Sequence, residues 1–181
     1  MRLHLKGCLP VSSCSQGRSF CLLLLEYMTS PTRLALLENV HSKEGAAVVK
    51  LVKLLLPSLG NYEDLDQLVA PQIVRLVEHC MRCATRSNQP LGYLQIVRAV
   101  FKAANPQTPY NSKLRACQQE LAPHLSNYLH CFNTWLLGPN VGNLRVSLVE
   151  LCLMLPVQMS GLIPLLPRMA RPLLNALSQV H

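Results

Sequence analysis

The chain has 181 residues, of which 50% are hydrophobic, 14% charged and 5% aromatic. That balance excludes a disordered chain, which needs low hydrophobicity and high charge. It also argues against an all-β sandwich or barrel, which needs more β-branched and aromatic residues. Net charge is +8, from 17 basic and 9 acidic residues, a balance that permits association with acidic partners without requiring it.

Mean hydropathy is high at +0.22. Yet the longest uninterrupted apolar run, Phe20 to Leu25, stops at Glu26, far short of the roughly 20 residues a spanning helix needs. No membrane segment is expected, so the apolar excess must be buried against protein. The eight cysteines (Cys8, Cys14, Cys21, Cys80, Cys83, Cys117, Cys131 and Cys152) are dispersed through a chain that can already build a core. They read as small hydrophobes in a reducing compartment, not as a disulfide framework.

Residues 1–25 carry Arg2, Lys6 and Arg18 with no acid before Glu26. This composition is compatible with a targeting segment, but a truncated chain start is the preferred reading. Residues 1–18 are therefore expected to be a poorly ordered N-terminus and 19–181 a helical segment, with the fate of the first 28 residues left open.

The apolar spacing is helical from Ser19 onward. After Thr29-Ser30-Pro31 a first amphipathic stretch carries Leu34, Leu37 and Val40, with Ser30 as N-cap and Pro31 at the first helical position. The second, Gly45 to Leu56, is expected to end at Pro57 and Gly60. The third, Tyr62 to Thr85, is interrupted by Pro71, where a kink or restart is expected. The fourth spans Leu91 to Ala104. The fifth spans about Ser112 to Leu137 around Pro123, the sixth Leu144 to Leu155 after Gly138-Pro139-Asn140, and the last Val157 to Val180. The short connections make successive helices antiparallel neighbours.

An internal echo joins three of these stretches. Leu68-Val69-Ala70-Pro71-Gln72-Ile73 is similar to Glu120-Leu121-Ala122-Pro123-His124-Leu125, and Leu165-Leu166-Pro167-Arg168-Met169 is a weaker third copy. The prolines are 52 and 44 residues apart. Paired-helix repeats of the HEAT type have periods of about 40 to 47 residues. A stack of hairpins buries apolar faces that one hairpin leaves open. The fold expected is an all-α, HEAT-like solenoid of antiparallel hairpins, with exposed apolar edges at one or both ends where neighbouring repeats stack.

The candidate chemistry is sparse. His79-Cys80-x-x-Cys83 has the spacing of half a zinc site, but no second pair lies at a fitting distance, and Cys80 and Cys83 fall in an apolar helical stretch. No nucleophile elbow, HExxH pair or phosphate-cradling glycine loop is present, so no catalytic residue, metal or cofactor is expected. Between Arg75 and Arg115, seven basic residues accompany one acid, Glu78. Arg75, Arg82 and Arg86 share one helical face, and Arg98 and Lys102 are one turn apart. These five are the candidate contacts for an acidic partner, with a nucleic-acid-binding module as the alternative reading. Leu51-Val52-Lys53-Leu54-Leu55 and Leu162-Ile163-Pro164-Leu165-Leu166 match an LxxLL pattern, for which core packing is the expected role.

The run Leu148-Val149-Glu150-Leu151-Cys152-Leu153-Met154-Leu155-Pro156-Val157-Gln158-Met159-Ser160-Gly161-Leu162-Ile163-Pro164-Leu165-Leu166-Pro167, continued by Arg171-Pro172-Leu173-Leu174-Asn175-Ala176-Leu177, closely resembles the N-terminal HEAT region of the TRRAP (transformation/transcription domain-associated) family. Tyr93-Leu94-Gln95-Ile96-Val97-Arg98-Ala99-Val100-Phe101 resembles an earlier helix of the same region, and Thr29-Ser30-Pro31-Thr32 an earlier turn. Such proteins are very large scaffolds of the phosphatidylinositol-kinase-related group, with a kinase-like domain that lacks catalytic residues. They bring activators to histone acetyltransferase complexes. The resemblance implies a non-enzymatic nuclear scaffold segment. Its partners would be other subunits of an acetyltransferase or transcription complex and neighbouring helical repeats of a longer chain. A chain of this length has no room for the kinase-like domain, so the activator-recruiting role is not carried over to it alone.

Overall fold

The computed structural model describes residues 11–105, 114–138, 142–156 and 159–178. Among them are helices and turns and no strand. Ten α-helices follow in order: α1 (Val11–Met28), α2 (Pro31–Ala35), α3 (Lys43–Leu59), α4 (Asp66–Ala84), α5 (Leu91–Ala104), α6 (Arg115–Leu121), α7 (Leu125–Leu136), α8 (Arg145–Leu153), α9 (Met159–Leu162) and α10 (Leu166–Ser178). Single 3-10 turns at Leu36–Asn39, Glu63–Leu65, Ala122–His124, Gly142–Leu144 and Ile163–Leu165 join or begin several of them.

The boundary expected at 18/19 falls inside α1, which is already helical at Val11; residues 1–10 lie outside the described part. Ser30 occupies the N-cap position of α2 with Pro31 behind it, but its hydroxyl caps nothing in that helix and donates to the Tyr27 carbonyl at 2.8 Å. Ser42 does cap: its Oγ accepts the Gly45 N–H at 2.9 Å and starts α3. Pro57 does not end α3, which runs on to Leu59 with Gly60 as its cap. Pro71 lies within a continuous α4, whereas Pro123 is at the centre of the 3-10 turn that joins α6 to α7. A proline lacks the N–H that the interior of an α-helix uses, and a tighter turn is one way to absorb the loss.

The helices form two layers. One holds α1, α4, the bent α6–α7 unit and α10; the other holds α3, α5 and α8. Across the layers α1 packs on α3, α4 on α5, and α7 on α8. Within them α3 lies on α5 and α5 on α8, while α4 lies on α6 and α7 on α10. An ion pair between Arg18 and Asp64 ties α1 to the start of the next hairpin.

Burial repeats in register with the prolines. Ile73, Val77, Cys80 and Ala84 of α4 are buried, and so are Leu125, Leu129, Phe132 and Leu136 of α7, each 52 residues on. Leu125, Tyr128 and Phe132 correspond in turn to Met169, Pro172 and Ala176 of α10, 44 residues further. The second layer behaves alike. Val52, Leu55, Leu56 and Leu59 of α3 recur as Val97, Val100, Phe101 and Ala104 of α5 at 45 residues. They recur again as Leu148, Leu151, Cys152 and Leu155 at 51 residues. The 44- and 45-residue intervals match the period of about 40 to 47 residues of HEAT repeats, and the 52- and 51-residue ones are somewhat longer; burial in phase in both layers makes this a HEAT-like solenoid.

The middle of the stack is α5. Leu94, Ile96, Val97, Val100, Phe101 and Ala104 are fully buried there, and Lys102 is its one exposed residue. Each large apolar side chain so buried contributes about 1.5–3 kcal/mol. Phe101 meets Tyr128 and Phe132 of α7, both with ring centroids 6.4 Å away, so the second hairpin's core is continuous with the third's. No single described helix is long and apolar enough to cross a membrane; a bent pair, Ser15–Met28 and Pro31–Asn39, meets that test jointly but buries Cys21, Leu25, Met28, Leu34 and Leu37 in this core.

Candidate interaction surfaces

Arg75 and Arg82 stand exposed on the outer face of α4, and Arg86 is exposed in the turn beyond the helix's last residue, Ala84, so helical spacing does not set its position. Glu78 interrupts this face, with its Oε1 3.8 Å from His124 Nδ1 of the next repeat. Arg98 does not join the stripe as a free charge. It is half-buried, and its Nη2 donates to Glu150 Oε1 of α8 at 2.9 Å. Lys102 is exposed on α5. The basic face thus resolves into Arg75, Arg82 and Arg86 on one layer and Lys102 on the other, with Arg98 spent on an inter-repeat contact.

The cysteine motif divides the same way. Cys80 is wholly buried, and burial raises its thiol pKa far above the usual range, with Cys83 adding to the effect. Cys83 is half-buried, and its Sγ lies 3.4 Å from His79 Nε2 one turn back. Burial, and then the nearby Arg82, lower the His79 pKa below its ordinary value. Among the described residues no three His, Cys, Asp or Glu side chains come together as a metal site. Of the two LxxLL strings, the first is only partly core: Val52 and Leu55 are buried, while Leu51 and Leu54 are exposed. In the second, Ile163 and Leu166 are exposed.

One concavity is not evident from the sequence. A shallow cleft of about 300 Å³ lies between α3 and α5, lined by Val40, His41, Ala46, Val49, Lys50, Lys53 and Gln95. Lys50 and Lys53, three residues apart on α3, are the available signal, but Gln95 reaches them only through the 45-residue register of the second layer. Its lining combines the basic Lys50 and Lys53 and the imidazole of His41 with the apolar Val40, Ala46 and Val49.

Polar contacts between repeats serve the stack. Glu38 accepts from Ser87 Oγ at 2.7 Å and from Tyr93 Oη at 3.2 Å, joining the first hairpin to the second. Burial, then the hydrogen bond and charge of Glu38, push the Tyr93 phenol up to about 12. Asp66 Oδ2 accepts the Ala116 N–H at 2.9 Å, so a residue starting α4 satisfies a free donor in the first turn of α6. Asn133, the buried polar side chain among the described residues, donates from Nδ2 to the Arg168 carbonyl at 2.6 Å and ties α7 to α10.

The family described as Tra1 HEAT repeat central region matches residues 5–181. The match reaches further toward the start of this chain than the resemblance did, and it bears that resemblance out over nearly the whole chain. Over 162 residues the chain is 29% identical to the fruit-fly (Drosophila melanogaster) Transcription-associated protein 1, covering 88% of this chain and 4% of that protein. Over 131 residues it is 30% identical to the human Transformation/transcription domain-associated protein, covering 72% of this chain and 3% of that one. The Saccharomyces cerevisiae SAGA complex/NuA4 acetyltransferase complex subunit TRA1 is 26% identical over 162 residues, or 89% of this chain and 4% of that one. No solved structure matches. The chain therefore spans only about 4% of the length of such relatives. Its repeat register, its paired layers and this match over nearly its whole length agree: the chain belongs to the Tra1 HEAT-repeat family.

Proposed function

We propose that this chain is a non-catalytic scaffold segment of a Tra1-type subunit, acting in a nuclear acetyltransferase assembly that regulates transcription through protein–protein contacts. The observation that carries this reading is the in-phase burial of both layers. Side chains that could otherwise converge in a cleft are committed to inter-repeat packing, and what faces outward is long, helical and repetitive. Such a surface holds partners in fixed geometry. Its partners are other subunits of the assembly and helical repeats stacked on its ends. Arg75, Arg82, Arg86 and Lys102 are the positions offered to an acidic partner, with Arg98 supporting from within the stack.

The test is capture from nuclear extract on the immobilised chain. The expected result is retention of histone acetyltransferase activity, lost on a chain whose exposed surface is altered by Arg75→Glu, Arg82→Glu and Arg86→Glu. Retention of no such activity, with the chain folded, overturns the reading. A second reading, an independent nucleic-acid-binding module, draws on the exposure of those three arginines.

A further inference from the structure

Thr85 stands between two arginines of the exposed basic face, with Arg82 three residues before it and Arg86 directly after it. No other Ser or Thr in the sequence has a basic residue three positions before it. Thr85 is exposed and closes the C-terminus of α4. Its backbone N–H donates to the Met81 carbonyl at 3.1 Å, and its Oγ1 donates to the Arg82 carbonyl at 2.8 Å. Both bonds are local, so the hydroxyl ties no other helix. Ser87 differs. It is half-buried, donates to Glu38 Oε1 at 2.7 Å and accepts the Gln89 N–H at 2.8 Å, and so fastens the turn to the first hairpin.

We propose that Thr85 is a phosphorylation site for a kinase that reads an arginine three residues before its target, and that the phosphate closes the Arg75, Arg82 and Arg86 face to an acidic protein partner. The inference rests on the reading that this face meets such a partner, and it names how the contact is regulated.

Exposure and charge pattern meet at this one hydroxyl. Kinases of this class choose substrates by pairing the arginine with carboxylates of their own groove, and this chain offers that pattern once. Access needs only the last turn of α4 to open, because Arg82, Thr85 and Arg86 are exposed while Ser87 holds the rest of the turn to Glu38. Helix ends are among the least costly parts of a fold to open. Glu78 is the only acid in the sequence between Arg75 and Arg115, and Glu38, which reaches this turn from the first hairpin, is engaged by Ser87 and Tyr93.

The step transfers the γ-phosphoryl group of ATP. The bond from Thr85 Oγ1 to phosphorus forms, the bond from that phosphorus to the β–γ bridging oxygen breaks, ADP departs, and the hydroxyl proton passes to the kinase's base. The product carries a charge of about −1.5 to −2 at pH 7. At the C-terminus of α4 the helix dipole disfavours an anion, so the phosphate draws on the guanidinium groups beside it in sequence. It cancels most of the charge of Arg82 and Arg86 and leaves Arg75 next to Glu78 on the same face.

The experiment treats the full chain with calcium/calmodulin-dependent protein kinase II and magnesium ATP, locates the phosphate by mass spectrometry, and measures binding to poly-glutamate by fluorescence anisotropy at low salt before and after. The expected result is phosphate on Thr85 in the parent and in Thr85→Ser, none at that position in Thr85→Ala, and slowed transfer in Arg82→Gln; circular dichroism checks that each variant keeps the helix content of the parent. Poly-glutamate affinity should fall about fivefold or more when the parent is phosphorylated and stay unchanged in kinase-treated Thr85→Ala. A folded parent that takes no phosphate, or takes it elsewhere, overturns the proposal. So does a parent that does not bind poly-glutamate, or one whose affinity is unmoved by the phosphate. A chain that shows both the phosphate and the loss of affinity yet captures no acetyltransferase activity would overturn the scaffold reading alone and leave the regulated site in place.

Discussion

Arg98 and Glu150 are 52 residues apart in sequence and in ion-pair contact at 2.9 Å, joining equivalent helices of two successive repeats. Their side chains are 40% and 36% exposed, so solvent screens much of the attraction. A double-mutant cycle of Arg98→Gln and Glu150→Gln, followed by urea unfolding, should return a coupling of about 0.5–1 kcal/mol. A coupling indistinguishable from zero would mean that the pair does not hold α5 to α8.

Gly92 is the close-approach point of α5. A Cβ built there would collide with the Leu37 carbonyl oxygen, in the 3-10 turn that α5 packs against. Alanine ordinarily favours a helix over glycine by about 1 kcal/mol. Here the clash is with backbone, which cannot swing aside, and overpacking of this kind costs about 1–3 kcal/mol. Gly92→Ala should therefore lower the melting temperature despite its better helix propensity. A stabilised variant would show that α5 does not sit against that turn.

The thiols should separate by burial. Cys117 is fully buried, and burial, reinforced by Asp66 and then Glu120, pushes its pKa up to about 12. Burial alone pushes Cys152 up to about 12, and Cys80 is raised further by burial and the neighbouring Cys83. At pH 8 these three remain protonated as well as shielded, and the thiolate is the reactive form. Among the described thiols, mass-spectrometric mapping after brief alkylation of the native chain should find the half-buried Cys83 and Cys131 labelled before Cys80, Cys117 and Cys152, which should react only with unfolding. Early labelling of Cys117 would contradict the packing of α4 on α6.

Much of this architecture is legible in the residues, for identifiable reasons. The fourth helix, Leu91 to Ala104, has the ends its sequence predicts because its apolar spacing is unbroken and Asn105-Pro106 follows. The Pro71, Pro123 and Pro167 echo exposes one layer's period because proline is conspicuous against leucine. The other layer's period is hidden: Val52, Val97 and Leu148 occupy equivalent sites, but no rare residue marks them in a chain so rich in leucine and valine. Prolines also mislead locally, since Pro57 lies within the last turns of α3 and does not stop it. The exposure of Arg75 and Arg82 follows from their spacing on α4, where one helix sets the geometry. Spacing is silent on the partner of Arg98, because Glu150 approaches only through the fold.

The remaining exposed arginines discriminate the two functional readings. If they track phosphates, neutralising Arg75, Arg82 and Arg86 together should flatten the dependence of nucleic-acid affinity on salt by about 0.9 in log–log slope for each phosphate that an arginine no longer neutralises. The scaffold reading predicts weak, sequence-independent binding to begin with and little change in that slope. Fluorescence anisotropy over a salt series, parent against Arg75→Gln/Arg82→Gln/Arg86→Gln, measures it.

Hydrogen exchange of the native chain, resolved by helix, probes the shared apolar seams most directly. In a stack of repeats each hairpin is held by its neighbours, so local opening becomes harder toward the middle. The expected profile has its slowest amides in α5 and the adjoining part of α4, with exchange accelerating toward α1 at one end and α10 at the other. Amides in α5 that exchange as fast as those of α10 would contradict the account.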